Sequence, residues 1–130
     1  MPFYIESSAL VKFVVQEPQS GALRDWTASV GDDVLSSDLA RTELMRAVMR
    51  NAPDLVVQAR DVLKYTTWLT LTVIMFEHAG LLEPRYLRTL DALHLACALD
   101  LGDELDGIVT YDDRLAVAAG LMGIRTIAPA

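Results

Sequence analysis

Three observations predict an α/β fold, a three-layer sandwich around a central, mostly parallel sheet of about four to five strands. Short apolar runs such as Phe3-Tyr4-Ile5 and Ile108-Val109 alternate with longer helix-forming segments, the order that parallel strands joined by crossover helices require. The stretch 90–99 is helix-forming and apolar nearly all round, as a helix covered on most of its faces must be. The chain of 130 residues carries no repeat, low-complexity tract or linker, so residues 1–130 are expected to form one domain.

Phe3-Tyr4-Ile5 reads as a buried strand, and Ser7-Ser8 as the cap of a helix running to about Gln16. Leu10, Phe13 and Val14 keep helical spacing on it, and Pro18 ends it or starts the next helix. A second helix near 20–29 buries Leu23 and Trp26 and breaks at Gly31. Val34-Leu35-Ser36 is the second strand; Ser37 or Asp38 then caps a helix from Leu39 to about Arg50, with Pro53 beyond. Ala40, Leu44, Ala47 and Val48 form its inward stripe, and Glu43 shares that face.

A further helix covers about 55–65, and Trp68-Leu69-Thr70-Leu71 alternates like a third strand. Val73-Ile74-Met75-Phe76 either extends that strand or opens a short helix. Gly80 and Pro84 precede the apolar helix 90–99, which ends near Gly102. Gly107 to Tyr111 is a strand, Asp112-Asp113 turns into a helix over about 114–119, and 123–127 closes with a last short strand.

Composition bounds the function. Hydrophobic residues make up 52% of the chain, so part of the apolar surface is expected to meet a partner. The one cysteine, Cys97, lies within the apolar helix and excludes a disulfide framework, which fits a reducing, cytoplasmic setting. The start of the chain has no basic lead-in, Lys12 interrupts the apolar segment 9–15, and no run approaches spanning length, so no membrane association is expected. Eleven basic against eighteen acidic residues give a net charge of −7, which argues against binding nucleic acid by bulk charge.

Four acids stand out against this background. Glu6 and Asp112 follow strand ends, while Glu43 and Asp91 lie on otherwise apolar helix faces. Each has an ordinary reading. Asp91 suits a first helical turn after a Thr89 cap, Asp112 or Asp113 suits a helix cap, Glu43 suits a twisted face, and Glu6 suits a strand end. Parallel topology nevertheless brings strand ends and helix starts to one edge of the sheet, where ligands gather. Like charges in one pocket destabilise it unless a divalent cation holds them, and an all-oxygen set selects Mg²⁺ or Mn²⁺ over zinc. Lys12, Arg46 and Arg114 lie near these acids and read equally as phosphate contacts or solvated charges. His94 reads as a hydrogen-bonded core histidine, and Trp26, Trp68, Met45 and Met49 as core or dimer-seam residues.

The same positions carry a resemblance. Tyr4-Ile5-Glu6-Ser7-Ser8-Ala9-Leu10-Val11-Lys12, Arg41-Thr42-Glu43-Leu44, Leu90-Asp91-Ala92-Leu93-His94-Leu95-Ala96 and Val109-Thr110-Tyr111-Asp112-Asp113-Arg114-Leu115 resemble, in order, the PIN-domain ribonucleases, specifically the VapC toxins of VapBC toxin–antitoxin pairs. The resemblance implies a PIN-like fold and a cytoplasmic, Mg²⁺-dependent endoribonuclease (hydrolase) acting as the toxin of a type II pair. It implies that Glu6, Glu43, Asp91 and Asp112 are the metal-binding acids, with Ser8 and Thr110 as supporting hydroxyls; Asp113 is an understudy for Asp112. It further implies a VapB-type antitoxin partner, usually a homodimer, with DNA contacted only through the antitoxin complex.

In the mechanism that follows, one or two Mg²⁺ ions bridge acids and scissile phosphate, leaving a 5′ phosphate and a 3′ hydroxyl. One position departs from the family pattern: its first acid is normally aspartate, and here it is Glu6. Either the pocket has adjusted to the extra methylene, the enzyme is slow, or the residue was changed to tame a toxic product. The alternative reading is therefore a catalytically weak or inactive PIN-like module that acts mainly by binding an antitoxin. A receiver-like signalling domain or a DxD phosphatase would need paired acids after the first strand, where Glu6-Ser7-Ser8 stands, and the receiver also a late lysine, yet none follows Lys64.

Overall fold

β1 (Phe3–Ile5) occupies the middle of the sheet because all three of its residues are apolar and covered on both sides. The computed structural model describes residues 2–130. Its strands β1, β2 (Val34–Ser37), β3 (Thr67–Leu69), β4 (Gly107–Val109) and β5 (Thr126–Ile127) lie in the order β3-β2-β1-β4-β5. Every pairing is parallel, with Tyr4 opposite both Leu35 and Ile108, so the expected mostly parallel sheet is a five-stranded, wholly parallel one.

Alternate strand residues face opposite layers. Phe3, Ile5, Val109 and Ile127 join a core with Ala9 and Leu10 of α1 (Ser7–Leu10), Leu23 of α2 (Ser20–Val30), Leu44 and Val48 of α3 (Asp38–Asn51), and Ala59 of α4 (Val56–Tyr65). Tyr4 and Ile108 face the other way. They meet Met75 of α5 (Val73–Leu81), Leu95 and Cys97 of α6 (Thr89–Leu99), and Leu115 and Ala119 of α7 (Asp113–Leu121). These two cores make the three-layer sandwich. α6 is buried from Ala92 through Ala98, as its apolar circumference requires.

Local differences from the expected elements have identifiable causes. The first helix stops at Leu10 and tightens into a 3₁₀ turn, Val11–Phe13, where β-branched valines weaken helical preference. The ambiguous segment after β3 opens a helix, because the Thr72 hydroxyl accepts the Met75 N–H at 3.2 Å and caps α5. β4 ends at Val109, two residues early, since the Thr110 side chain turns toward β1. Gly107 is required at its start: a Cβ there would lie 2.9 Å from the Arg125 carbonyl oxygen.

α1 and α3 begin directly after β1 and β2, and α7 follows β4 across a three-residue turn, at the carboxyl edge of the sheet. α6 leads through a short 3₁₀ turn into the start of β4, which puts its own first turn at that same edge.

Candidate functional site

Glu6 lies immediately after β1 and serves as the N-cap of α1. It is only 5% exposed, and its burial is made tolerable by donors. Its Oε1 accepts from the Ser8 N–H at 3.0 Å, from the Thr110 hydroxyl at 2.8 Å, and from the Ser8 hydroxyl in a short contact. The Ser7 hydroxyl reaches Oε2 at 3.3 Å. The same two hydroxyls accept from the next turn. Ser8 Oγ takes the Tyr111 N–H at 2.9 Å, and Thr110 Oγ1 takes the Asp112 N–H at 3.0 Å. Ser8 and Thr110 thus tie the end of β1 to the end of β4.

Asp112 is the N-cap of α7; its Oδ1 accepts from the Arg114 and Leu115 N–H groups at 2.9 and 3.2 Å. The ordinary reading of this residue as a cap is therefore realised, while its second oxygen accepts no hydrogen bond from the described residues. Asp113, the first residue of α7, is exposed.

Asp91 lies in the first turn of α6, but the N-cap is Arg88 and no side chain caps the helix, so the Thr89 cap does not form. Burial pushes the Asp91 carboxyl above its ordinary range, and the Asp112 carboxylate pushes it further; His94 and Arg88 partly offset this, and Glu43 adds to it. Asp91 is thereby in Coulombic reach of acids from α3 and from the turn before α7. Glu43 sits half-buried on α3, and its Oε1 meets His94 Nε2 at 2.5 Å.

The structure therefore joins Glu6 to the Asp112 turn through Thr110, and joins Glu43 to α6 through His94. As placed, no three acidic, imidazole or thiol side chains among the described residues form a group that could hold a metal ion. The donor chemistry still fits a hard dication. Asp91, Oδ2 of Asp112 and Oε2 of Glu43 accept no hydrogen bond from described side chains or backbone, and each is a carboxylate oxygen.

The basic residues divide. Lys12 is not available as a phosphate contact: it is 8% exposed, pairs with Glu17 at 3.3 Å, and lies 4.6 Å over the Tyr111 ring. Arg46 and Arg114 are exposed. Arg114, with Tyr86, Leu87, Arg88, Asp113 and Val117, lines a cleft of about 280 Å³ that opens onto Asp91. Trp26 packs edge-on to Phe3 at 4.9 Å, and the Trp68 indole donates to the Leu63 carbonyl at 2.9 Å, so both belong to the fold; Met49 is exposed.

Three residues escaped the sequence reading. Tyr4, fully buried, is the partner of His94 Nδ1 and of the equally buried Ser37, and Arg88 borders the cleft at Asp91. Tyr4 carried a usable signal, because a phenol inside an apolar strand must find a buried partner. The sequence offers Ser37 as a helix cap; it does precede α3, yet its side chain makes no capping bond and its hydroxyl lies 2.7 Å from that of Tyr4.

Comparisons with known proteins bear on the family and the fold. The family described as the PIN domain matches residues 3–121. Ribonuclease VapC46 of Mycobacterium tuberculosis (strain ATCC 25618 / H37Rv) is 43% identical over 126 residues, covering 97% of this chain and 96% of the relative. Ribonuclease VapC47 of Mycobacterium tuberculosis (strain CDC 1551 / Oshkosh) is 38% identical over 130 residues, with 97% and 96% covered. In three dimensions the chain is similar to Mycobacterium tuberculosis VapC20, described as a sarcin-ricin loop cleaving toxin, with a TM-score of 0.78 at 16% identity, covering 98% and 99% of the two chains. A toxin–antitoxin complex from Klebsiella pneumoniae gives a TM-score of 0.74 at 15% identity, with 100% and 98% covered.

Proposed function

The chain belongs to the PIN-domain family, among its VapC ribonucleases, and from that membership we propose that it is a metal-dependent endoribonuclease, the toxin of a type II toxin–antitoxin pair. The observation that carries the reading is the Thr110 hydroxyl, which links Glu6 after β1 to Asp112 after β4 while Asp91 stands in electrostatic contact with Asp112.

Glu6, Glu43, Asp91 and Asp112 would hold Mg²⁺ or Mn²⁺, which when bound supplies a water of lowered pKa and neutralises charge at the scissile phosphate. The protein's own part is positional. Ser8 and Thr110 fix the buried Glu6 carboxylate, Asp112 is held by its capping bonds, and Asp91 faces the cleft with Arg114 and Arg88 at its walls. Those guanidiniums suit backbone phosphates of an RNA that a chain of net charge −7 would otherwise repel.

The test is RNA cleavage with Mg²⁺ compared between the native chain and Asp91→Asn. Loss of cleavage in the variant supports the nuclease; equal cleavage by both, or none by either across several structured RNAs, removes it. The second reading, an antitoxin-binding module with little activity, draws on Glu6, whose Oε1 is already occupied as a helix cap.

A VapB-type antitoxin is the partner this reading requires, with DNA met only through that complex. Val73, Ile74 and Phe76 on α5, together with Leu90, are exposed and offer an apolar surface for a second copy. A sedimentation run showing only monomer at working concentration would remove the homodimer. Among the described residues no helix is long and apolar enough to cross a membrane.

A further inference from the structure

We propose that Ser37, Tyr4 and His94 form a buried, one-way hydrogen-bond chain that aims the Glu43 carboxylate at the acid cluster, with His94 as its positioning residue. The four side chains come from β2, β1, α6 and α3, so the chain of bonds crosses from the sheet to both of its helical layers. Ser37 Oγ lies 2.7 Å from Tyr4 Oη, Tyr4 Oη 2.6 Å from His94 Nδ1, and His94 Nε2 2.5 Å from Glu43 Oε1. Ser37 and Tyr4 are fully buried and His94 is 1% exposed, so water cannot replace the links among these three; only Glu43, at the end of the chain, is partly exposed.

The direction of the chain follows from counting protons. Tyr4 has one hydroxyl hydrogen and two partners, Ser37 Oγ and His94 Nδ1, so it donates to one and accepts from the other. A neutral His94 protonated on Nδ1 would turn a bare Nε2 lone pair toward the Glu43 carboxylate, setting acceptor against acceptor. Of the two neutral tautomers, only the one protonated on Nε2 satisfies every partner; a doubly protonated ring would reverse the chain and overturn the proposal. Nε2–H donates to Glu43, the Tyr4 hydroxyl donates to Nδ1, and the Ser37 hydroxyl donates to Tyr4. Glu43 Oε1 is thereby fixed, and Oε2 is the oxygen left for the cluster. Imidazoles between a buried donor and a functional carboxylate set the orientation of that carboxylate in this way.

A network serving only the fold would not distinguish turnover and metal affinity from substrate affinity. The kinetic arm below rests on the ribonuclease reading; the spectroscopic and metal-binding arms do not. Imidazole nitrogens are read by long-range proton–nitrogen spectra of the metal-free full chain near neutral pH, and Mn²⁺ binding by electron paramagnetic resonance. The native chain is expected to show the Nε2–H tautomer with its proton far downfield, a shift lost in Glu43→Gln. In Tyr4→Phe the ring should keep the Nε2–H tautomer that Glu43 alone still favours but lose its hold at Nδ1, with Mn²⁺ affinity and kcat lowered by about 10- to 100-fold and KM for RNA unchanged.

His94→Gln retains an N–H donor near the Nε2 position and should recover much of what His94→Leu loses, a comparison that carries the test if Tyr4→Phe does not fold. An Nδ1–H tautomer in the native chain would overturn the proposal. So would a folded Tyr4→Phe that binds Mn²⁺ and turns over as the native chain does, or equal impairment of folded His94→Gln and His94→Leu. A native chain that cuts no RNA yet shows the Nε2–H tautomer and weaker Mn²⁺ binding in Tyr4→Phe would remove the ribonuclease and keep the chain.

Discussion

Thr110 and Glu6, 104 residues apart, share a hydrogen bond of 2.8 Å in which the threonine hydroxyl donates to a carboxylate that is almost wholly buried. The same hydroxyl oxygen accepts the Asp112 N–H, so one side chain serves two ends of the candidate site. Charge-assisted bonds of this kind are about twice as strong as neutral ones.

Replacing Thr110 by the isosteric valine removes a donor from Glu6 and an acceptor from the Asp112 N–H at constant volume. The expected loss is about 1–3 kcal/mol in urea unfolding, with Thr110→Ser restoring most of it. A Thr110→Val protein as stable as the native chain would contradict the bond's contribution.

Asp91 gives a pH dependence of definite sign. Its carboxyl titrates above the ordinary 3.8, from burial first and the Asp112 charge second, so between those values the folded chain binds more protons than the unfolded one. Its contribution to stability is therefore lost as pH rises through that window. With metal chelated, Asp91→Asn should melt higher than the native chain at pH 7, and the difference should vanish in acid below the ordinary carboxylate range. Thermal melts across pH check it.

Adding Mn²⁺ should reverse that order, because a ligand that binds only the folded state stabilises it by mass action. The native chain should gain melting temperature with Mn²⁺ concentration, and Asp91→Asn should gain little. Equal gains in both would detach Asp91 from metal binding.

Asp112 combines a cap with a charge, and two substitutions separate them. Asp112→Asn keeps a capping oxygen for the Arg114 and Leu115 N–H groups, so its stability should stay near native while cleavage falls. Asp112→Ala should lose cleavage together with about 0.5–2 kcal/mol of stability. Denaturant unfolding beside RNA cleavage reads both.

Arg88 and Arg114 flank Asp91 in one cleft, and both are exposed. Arg88→Ala and Arg114→Ala should raise KM for RNA and reduce its salt dependence by roughly one counterion each, with kcat preserved. An unchanged salt slope in both variants would place the phosphates elsewhere.

The sequence by itself determined the alternation of strands and helices, the burial of 90–99, and the positions of Glu6, Glu43, Asp91 and Asp112, because periodicity and the exceptional charge are local properties of the chain. It also showed that an acid follows β1 and another follows β4. Only the tertiary structure decided how these groups are paired. Lys12 turns to Glu17, and Ser37 abandons its helix for Tyr4, each choice set by which partner lies nearest once the layers close. His94 is the clearest case: its neighbours in sequence are apolar, yet its two nitrogens meet Tyr4 and Glu43, residues 90 and 51 positions away. Hydrogen bonds over such separations follow from packing geometry, which no local pattern of residues encodes.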